Sequence, residues 1–392
     1  MERAPKTRIV VTIIVLAQFA CTSLWFAGNA ILPDLQNEFS LSESSIGNLT
    51  SAVQIGFILG TLLFALLSIS DRYSPSKVFF VCALLGATSN VLITLTSNAS
   101  LLFLFRGLVG FFLAGIYPVG MKISADYHEK GLGKVLGLLV GALVIGTAFP
   151  HLLSIFNGTL DWHFVIYTTS IFAVLGGAAI FFFVPNGPFR KKGSKLDLRL
   201  CFVVFKEKKF RGAAFGYFGH MWELYTVWAF TPFIINYYNL YHQQNLLHVS
   251  WWSFVIIASG GIACAIGGGY SKSVGSSKIA FITLLISGVC CLISFASYQF
   301  PAVIFVVFLL IWGMSVVADS PQFSTLVAQF APAEARGTAL TIVNSIGFAI
   351  TIVSLKLMDT MLTHFDPKVV FTVLAIGPAF GLVALSRAKI IE

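Results

Sequence analysis

"NGPFRKKGSKLDLRLCFVVFKEKKFR" occupies residues 186–211 and carries nine basic side chains between Arg190 and Arg211. On either side of it the chain is nearly free of charge. Only 10% of the 392 residues are charged and 57% are hydrophobic, with a mean hydropathy of +0.87. A soluble domain carries about 25% charged residues, so this chain has too few to cover a water-facing surface. Apolar runs long enough to cross a hydrocarbon core of about 30 Å recur along its length. They fall at 9–32, 46–69, 78–97, 100–121, 135–156, 163–184, 212–236, 250–270, 279–298, 302–327, 338–358 and 368–386. Six precede the basic stretch and six follow it. In lipid each segment must satisfy its own backbone N–H and C=O groups, which makes the runs helices. The expected architecture is an all-α membrane protein of twelve transmembrane helices in two pseudo-symmetric six-helix bundles. Residues 1–185 form the first bundle, 186–211 a basic linker and 212–392 the second bundle.

The first run follows Arg3, Lys6 and Arg8 as a signal peptide would. It is too long for one and has eleven spans after it, so a retained helix is expected. Of the 25 Lys and Arg residues, 22 fall in the two tails and the even-numbered loops. That bias predicts that both termini and the linker face the cytoplasm, in a multi-pass plasma-membrane protein of bacterial inner-membrane type. The net charge of +9 is then a topology signal, and no nucleic-acid partner is expected. The six cysteines show no CxxC spacing, which suggests neither a disulfide nor a metal site.

The two halves echo each other. Asp71-Arg72 and Ser76-Lys77 precede the third span, while Ser271-Lys272 and Ser277-Lys278 precede the ninth. "HEKGLGKVLG" (128–137) before the fifth span resembles "PAEARGTAL" (332–340) before the eleventh, with Glu129 matching Glu334. Matches at roughly 200 residues, at equivalent loops, indicate a parallel internal repeat.

The sequence resembles the major facilitator superfamily over essentially its full length. The loop "SISDRYSPSK" (68–77) is similar to the family's loop between helices two and three, G-x-x-x-D-R-x-G-R-R/K. Asp71, Arg72 and the basic Lys77 are kept; Leu67, Ser74 and Pro75 replace two glycines and an arginine. "RGLVGFFLAGIYPVG" (106–120) resembles the fourth-helix motif of an arginine followed by spaced glycines. The resemblance implies that Asp71, Arg72, Lys77 and Glu129 form a charge network locking one conformation. Read from the residues alone, they are a solvated face.

Three charged side chains lie well inside spans: Arg106, Glu223 and Asp319. A charge at the bilayer centre costs at least about 2.5–3.5 kcal/mol, so it faces the bundle interior or a wet cavity. Glu223 lies in "GHMWELYTVW" (219–228). Gly212, Gly216, Gly219, Glu223 and Thr226 share a helix face, expected to look onto a central cavity between the halves. A carboxyl group shielded from water favours its protonated form, so Glu223 is a candidate proton carrier; the bland reading is a structural ion pair with Arg106. His220, one turn away, either tunes Glu223 or is a satisfied core histidine. Asp319 precedes Pro321, which should break helix ten near 317–321. Such breaks mark transporter binding sites, although Asp319 or Ser320 capping a restarted helix is the plain alternative. Arg106 suits a carboxylate-bearing substrate or a structural pairing. Gln18, Thr22, Trp25 and Asn29 on helix one, Trp222 and Tyr225 on helix seven, and Asn344 on helix eleven are further candidates to line the cavity.

No G-x-x-x-x-G-K-[ST] loop for an ATP-driven pump is present, nor a nucleophile with its base. The chain is read as a transporter and not an enzyme, with no cofactor beyond a proton gradient. It is expected to act as a monomer in the bilayer on a small-molecule substrate. The reading inclines to proton symport of an organic anion or zwitterion, because Arg106 is the sole intramembrane base. Proton/drug antiport remains open: Gly137, Gly146 and Pro150 echo an exporter motif of helix five, while Phe149 and residues 151–154 depart from it. A transport-inactive receptor of the same fold is the third possibility.

Overall fold

The computed structural model describes residues 7–42, 45–128, 132–158, 160–190, 203–332 and 335–390. Glu129, Glu334 and most of the basic linker, including Cys201, lie outside the described residues. The first six spans contain α1 (Thr7–Thr22), α2 (Ser45–Leu66), α3 (Pro75–Val91), α4 (Ala99–Leu113), α5 (Leu132–Leu153) and α6 (His163–Phe183). The second six contain α7 (Lys208–Tyr241), α8 (Val249–Val274), α9 (Ser276–Ser297), α10 (Ala302–Ala318), α11 (Arg336–Leu362) and α12 (Ile376–Arg387). Ten of these spans are long and apolar enough on their own to cross a membrane. The other two are α1, short because it breaks, and α7, which is 34 residues long and rich in small and polar groups. Twelve crossings leave both chain ends on one side, called here the terminus side.

Local chemistry sets the helix ends. The Asn98 side chain caps α4, accepting from the backbone N–H groups of Ser100 at 2.8 Å and Leu101 at 3.3 Å, which satisfies donors without an intrahelical partner. Helix α4 stops at Leu113 and resumes as Tyr117–Asp126, with Pro118 in its first turn. In the same way α10 stops at Ala318 and resumes as Ser320–Phe330, with Pro321 in its first turn. Each proline lacks an N–H and crowds the carbonyl four residues earlier. The paired breaks fall at equivalent places in the two halves.

Packing repeats with the same shift of six helices. In the first half α2 packs on α4, α3 on α4 and α6, and α1 on α5 and α6. In the second, α8 packs on α10, α9 on α10 and α12, and α7 on α11 and α12. The halves meet mainly where α5 crosses α8 and α2 runs along α11. At the first crossing a Cβ added to Gly141 would sit 2.8 Å from the Gly261 carbonyl oxygen, and one on Gly261 would sit 2.7 Å from that of Gly141. The backbones touch there, the close approach that small residues permit in membrane bundles, with the Ile145 side chain equally near Gly261. Leu59, Ile171, Leu175, Phe182, Ile262 and Val303 point outward and are exposed, as lipid-facing side chains are.

Two spans depart from the sequence reading: the fourth, interrupted at residues 114–116, and the first. The first span is not one helix over 9–32. It breaks after Thr22, turns through residues 23–26, and resumes in the short helices Ala27–Ala30 and Leu32–Phe39. A side chain from α4, described next, holds that turn.

Candidate transport site

Arg106 is fully buried, and its guanidinium reaches the turn in the first span. Nη1 donates to the Leu24 carbonyl at 3.1 Å and to Asn90 Oδ1 at 3.2 Å, and Nη2 donates to the Trp25 carbonyl at 2.5 Å. Those carbonyls are freed by the break beyond α1, and the C-terminal end of a helix favours a cation. Asn90 on α3 is held in turn by donating to the Ile166 carbonyl, Thr169 and Ser170 on α6. Arg106 therefore makes no ion pair with Glu223; both of its terminal nitrogens are engaged, while Nε is buried without a partner. It is the strut of the α1 break. Sequence reasoning could not see this, because two of its three partners are backbone carbonyls.

That strut positions Trp25, whose ring sits at the junction of the halves. It lies 4.9 Å from Phe57 on α2 and stacks on Tyr225 of α7 at 5.6 Å and on Phe348 of α11 at 5.9 Å. Phe26 meets Tyr225 and Trp228 beside it. Asn29 donates to Thr50 Oγ1 at 2.8 Å. One turn along α2, between Thr50 and Phe57, Gln54 is fully buried, and neither its oxygen nor its nitrogen has a protein partner. Trp25 Nε1 and Asn29 Oδ1 are likewise unpaired. Gln18 is buried against the second segment of α4, its Oε1 2.5 Å from where a Cβ on Gly120 would lie. Thr22 donates to the Gln18 carbonyl at 2.8 Å. Asn344 is half-buried on α11.

The acids lie elsewhere. Glu223 points into its own half toward α9, not onto the axis between the halves. Its Oε2 accepts from Ser287 Oγ at 2.7 Å and Cys291 Sγ at 3.2 Å, side chains one helical turn apart. Its Oε1 has no partner. His220 does not pair with Glu223. Its Nδ1 lies 2.8 Å from Asp319 Oδ1, and both side chains are fully buried. The contact has ion-pair distance but is bent away from hydrogen-bond alignment. Asp319 holds the N-cap position of the second α10 segment yet makes no side-chain capping bond, so its carboxyl belongs to His220. Thr226 continues the α7 stripe to Ser354 on α11 at 2.6 Å, while Gly219 packs on Gly377 of α12. The stripe is thus consumed by contacts within the second half. That is why a face expected to line the axis does not.

Trp222 is also displaced from its expected place. It lines a recess of about 350 Å³ on the outer face between α7, α11 and α12, with Phe218, Ile350, Val353, Ile376 and Phe380. Glu223 is the next residue in the chain, about 100° around the helix, so the two face different environments.

On the terminus side, Asp71 pairs with Lys122 of α4. Arg190 donates to the Asp71 carbonyl at 3.2 Å and the Tyr73 carbonyl at 2.8 Å. Arg72 and Lys77 are exposed. On the far side the halves are closed by a contact the sequence did not reveal. The Gly47 N–H, in the first turn of α2, donates to Asp359 Oδ1 of α11 at 3.2 Å, and Lys356 donates to Asn48 Oδ1. Among the described residues no cluster of His, Cys, Asp and Glu could hold a metal ion.

Twelve helices in two repeated bundles, joined at a glycine crossing and carrying buried acids, define the class of two-bundle helical membrane proteins. A sequence profile described as Major Facilitator Superfamily matches residues 14–355, and the chain belongs to that family. Relatives include an uncharacterized transporter of Buchnera aphidicola (subsp. Schizaphis graminum), 24% identical over 47% of this chain and 45% of that protein. The putative transporter AraJ of Escherichia coli K12 is 25% identical over 47% of each chain. An uncharacterized transporter of Escherichia coli, YgaY, is 30% identical over 46% of this chain and 47% of its own length. The chain thus spans about half the length of the curated relatives it matches. Among solved structures, the human organic anion transporter MFSD10 superposes with a TM-score of 0.74 at 16% identity, covering 97% of this chain and 100% of that one. The nucleoside transporter NupG superposes at 0.70 with 15% identity, over 98% and 100%. At such identities they share the fold with this chain.

Proposed function

We propose that the protein is a monomeric secondary active transporter, moving a small polar solute across a bacterial inner membrane by alternating access. In this reading both termini face the cytoplasm, where the basic residues concentrate, and a proton gradient drives the cycle. Glu223 carries the reading. It is a fully buried acid at mid-span whose oxygen meets only the neutral donors Ser287 and Cys291. An ionised carboxylate there, with no cation beside it, would bear the full cost of burial in a low-dielectric interior. A bound proton removes that cost when the half-bundle is closed, and water reaching the site lets the proton leave. The Asp319–His220 pair one turn away is a second group able to exchange a proton with it.

An anionic substrate would need the Arg106 fork, and both terminal nitrogens are held by Leu24, Trp25 and Asn90, leaving Nε as its unpartnered donor. Symport of a polar solute stands without that argument. The test is purified protein in liposomes under an imposed pH gradient, comparing the native chain with Glu223→Gln over a solute panel. Gradient-driven accumulation in the native chain and its loss in the variant are expected. A variant that still accumulates solute with the gradient would reduce Glu223 to a packing group.

A further inference from the structure

The recess between α7, α11 and α12 opens to the bilayer and not to the junction of the halves. Its walls are apolar, with Phe215, Phe218 and Trp222 from α7, Val353 from α11, and Ile376 and Phe380 from α12. Val353, Ile376 and Phe380 are exposed on this face, and the Phe215 and Phe380 rings meet at 5.6 Å at its end nearer the chain termini. Followed toward the terminus side, the same helix stripes turn basic. On α7 the spacing of three and four that links Trp222, Phe218 and Phe215 continues to Arg211 and Lys208. On α12 the same spacing carries Ile376 and Phe380 on to Arg387. The two helices touch beside these residues, where a Cβ on Gly212 would lie 2.4 Å from that of Ala388. Lys208, Arg211 and Arg387 are exposed, and among the described residues none of them pairs with a carboxylate. Arg211 Nη1 donates to the Phe205 and Lys206 carbonyls at 3.2 and 3.4 Å. Glu207, the acid beside them in sequence, accepts from the Lys209 N–H at the start of α7.

We infer that this recess and its basic rim bind an anionic phospholipid of the terminus-side leaflet, with one acyl chain in the recess and the phosphate at Lys208, Arg211 and Arg387. Basic residues at helix ends on this side are a general topology signal; here they also stand on the stripes that wall a recess. The dimensions agree. Arg211 precedes Trp222 by eleven residues, about 16 Å along the helix, close to half of a hydrocarbon core of about 30 Å. A lipid with its phosphate level with Arg211 therefore brings its chain down to Trp222. Guanidinium forks suit the phosphate oxygens, and each basic side chain near the membrane surface adds attraction for anionic lipid. A choline headgroup would carry a cation into the same rim. The bound chain bridges α7, α11 and α12 on the back of the helix that carries Glu223, so it braces the second bundle from outside. The site is the same whatever solute the protein carries.

The test follows the melting temperature of the purified full chain in non-ionic detergent as phosphatidylglycerol or phosphatidylcholine of the same acyl chains is added. Phosphatidylglycerol should stabilise the protein at a concentration at least about tenfold lower than phosphatidylcholine. The triple variant Lys208→Gln, Arg211→Gln, Arg387→Gln should lose that preference. Lys77→Gln with Lys278→Gln, exposed basic residues of α3 and α9 on the same membrane side, should keep it. Ile376→Trp and Val353→Trp each put a bulky ring into the recess from its lipid-facing edge, and their lipid-free melting temperatures report that they fold. Each should raise the phosphatidylglycerol concentration needed by at least about tenfold, because a displaced chain loses the burial of several methylenes. Equal stabilisation by the two lipids overturns the inference, as does a preference kept by the triple variant or lost equally in the Lys77 and Lys278 pair. An unchanged response in both tryptophan variants overturns it too. So does a dimer that Ile376→Trp dissociates, which would assign the recess to a second copy of the chain.

Discussion

The backbone N–H of Gly47 donates to the Asp359 carboxylate at 3.2 Å, so the first turn of α2 is capped by an acid from α11 in the other half of the molecule. The Asp359 side chain meets a helix end whose partial positive charge favours it, and it does so across the seam that must part if the far side opens. A Cβ on Gly47 would lie 2.3 Å from Asp359 Oδ2. Gly47→Ala is therefore a sharp probe. Alanine raises helix propensity by about 1 kcal/mol, yet here it should displace the carboxylate and weaken closure. Thiol labelling of a cysteine placed at Ser51, one turn deeper in α2, should speed up in Gly47→Ala and in Asp359→Ala. Equal labelling rates in all three proteins would show that the contact does not hold the seam.

The α9 donors to Glu223 predict a coupled set. Ser287→Ala should cost about 1–2 kcal/mol of stability by leaving a buried acceptor less satisfied. Combined with Glu223→Ala, the two losses should fall short of additive, since each removes the same bond. Chemical unfolding in detergent supplies the cycle. Strict additivity would mean the 2.7 Å contact contributes nothing.

Arg106→Lys tests the strut. A lysine cannot span the Leu24 and Trp25 carbonyls and Asn90 with a planar fork, and each lost bond to a charged donor is worth about 1.5–3 kcal/mol. The variant should melt at a clearly lower temperature while keeping the charge. A lysine variant as stable as the native protein would return Arg106 to the list of substrate-facing groups.

His220 and Asp319 should behave as one unit. Removing either partner leaves the other buried without its mate, which is costlier than removing both. Transport and melting temperature should be lower in His220→Gln and in Asp319→Asn than in the double variant. A double variant worse than either single change would show that the two side chains act separately.

How much of this could be read beforehand follows from which constraints are written in side chains. The twelve spans were legible because a bilayer demands length and apolarity, and the repeat because Asp71-Arg72 and Ser271-Lys272 mark equivalent loops. The α10 break was legible from Pro321. Rotation of a helix about its axis was not. Trp222, Glu223 and Tyr225 lie within four residues and face the outer recess, α9 and the junction respectively. Gly212 to Thr226 read as a lining stripe because small residues at a helix contact look the same as small residues at a cavity wall. The α1 break was invisible for a stricter reason: Arg106 binds backbone carbonyls, which every residue type supplies alike.

The close crossing at Gly141 and Gly261 has a mechanical consequence. Side chains that interlock must disengage before two helices can turn against each other, and each such step is a barrier. Where two peptide planes meet directly there is less to disengage, here the flanking Ile145 side chain. Were the two halves to rock, this crossing would serve as the fulcrum, with α5 and α8 extending from it as beams toward both membrane faces. Tilting one beam on the other spreads the ends at one face by the same motion that draws them together at the opposite face. Opposed movement of the two ends then needs no signal passing between them.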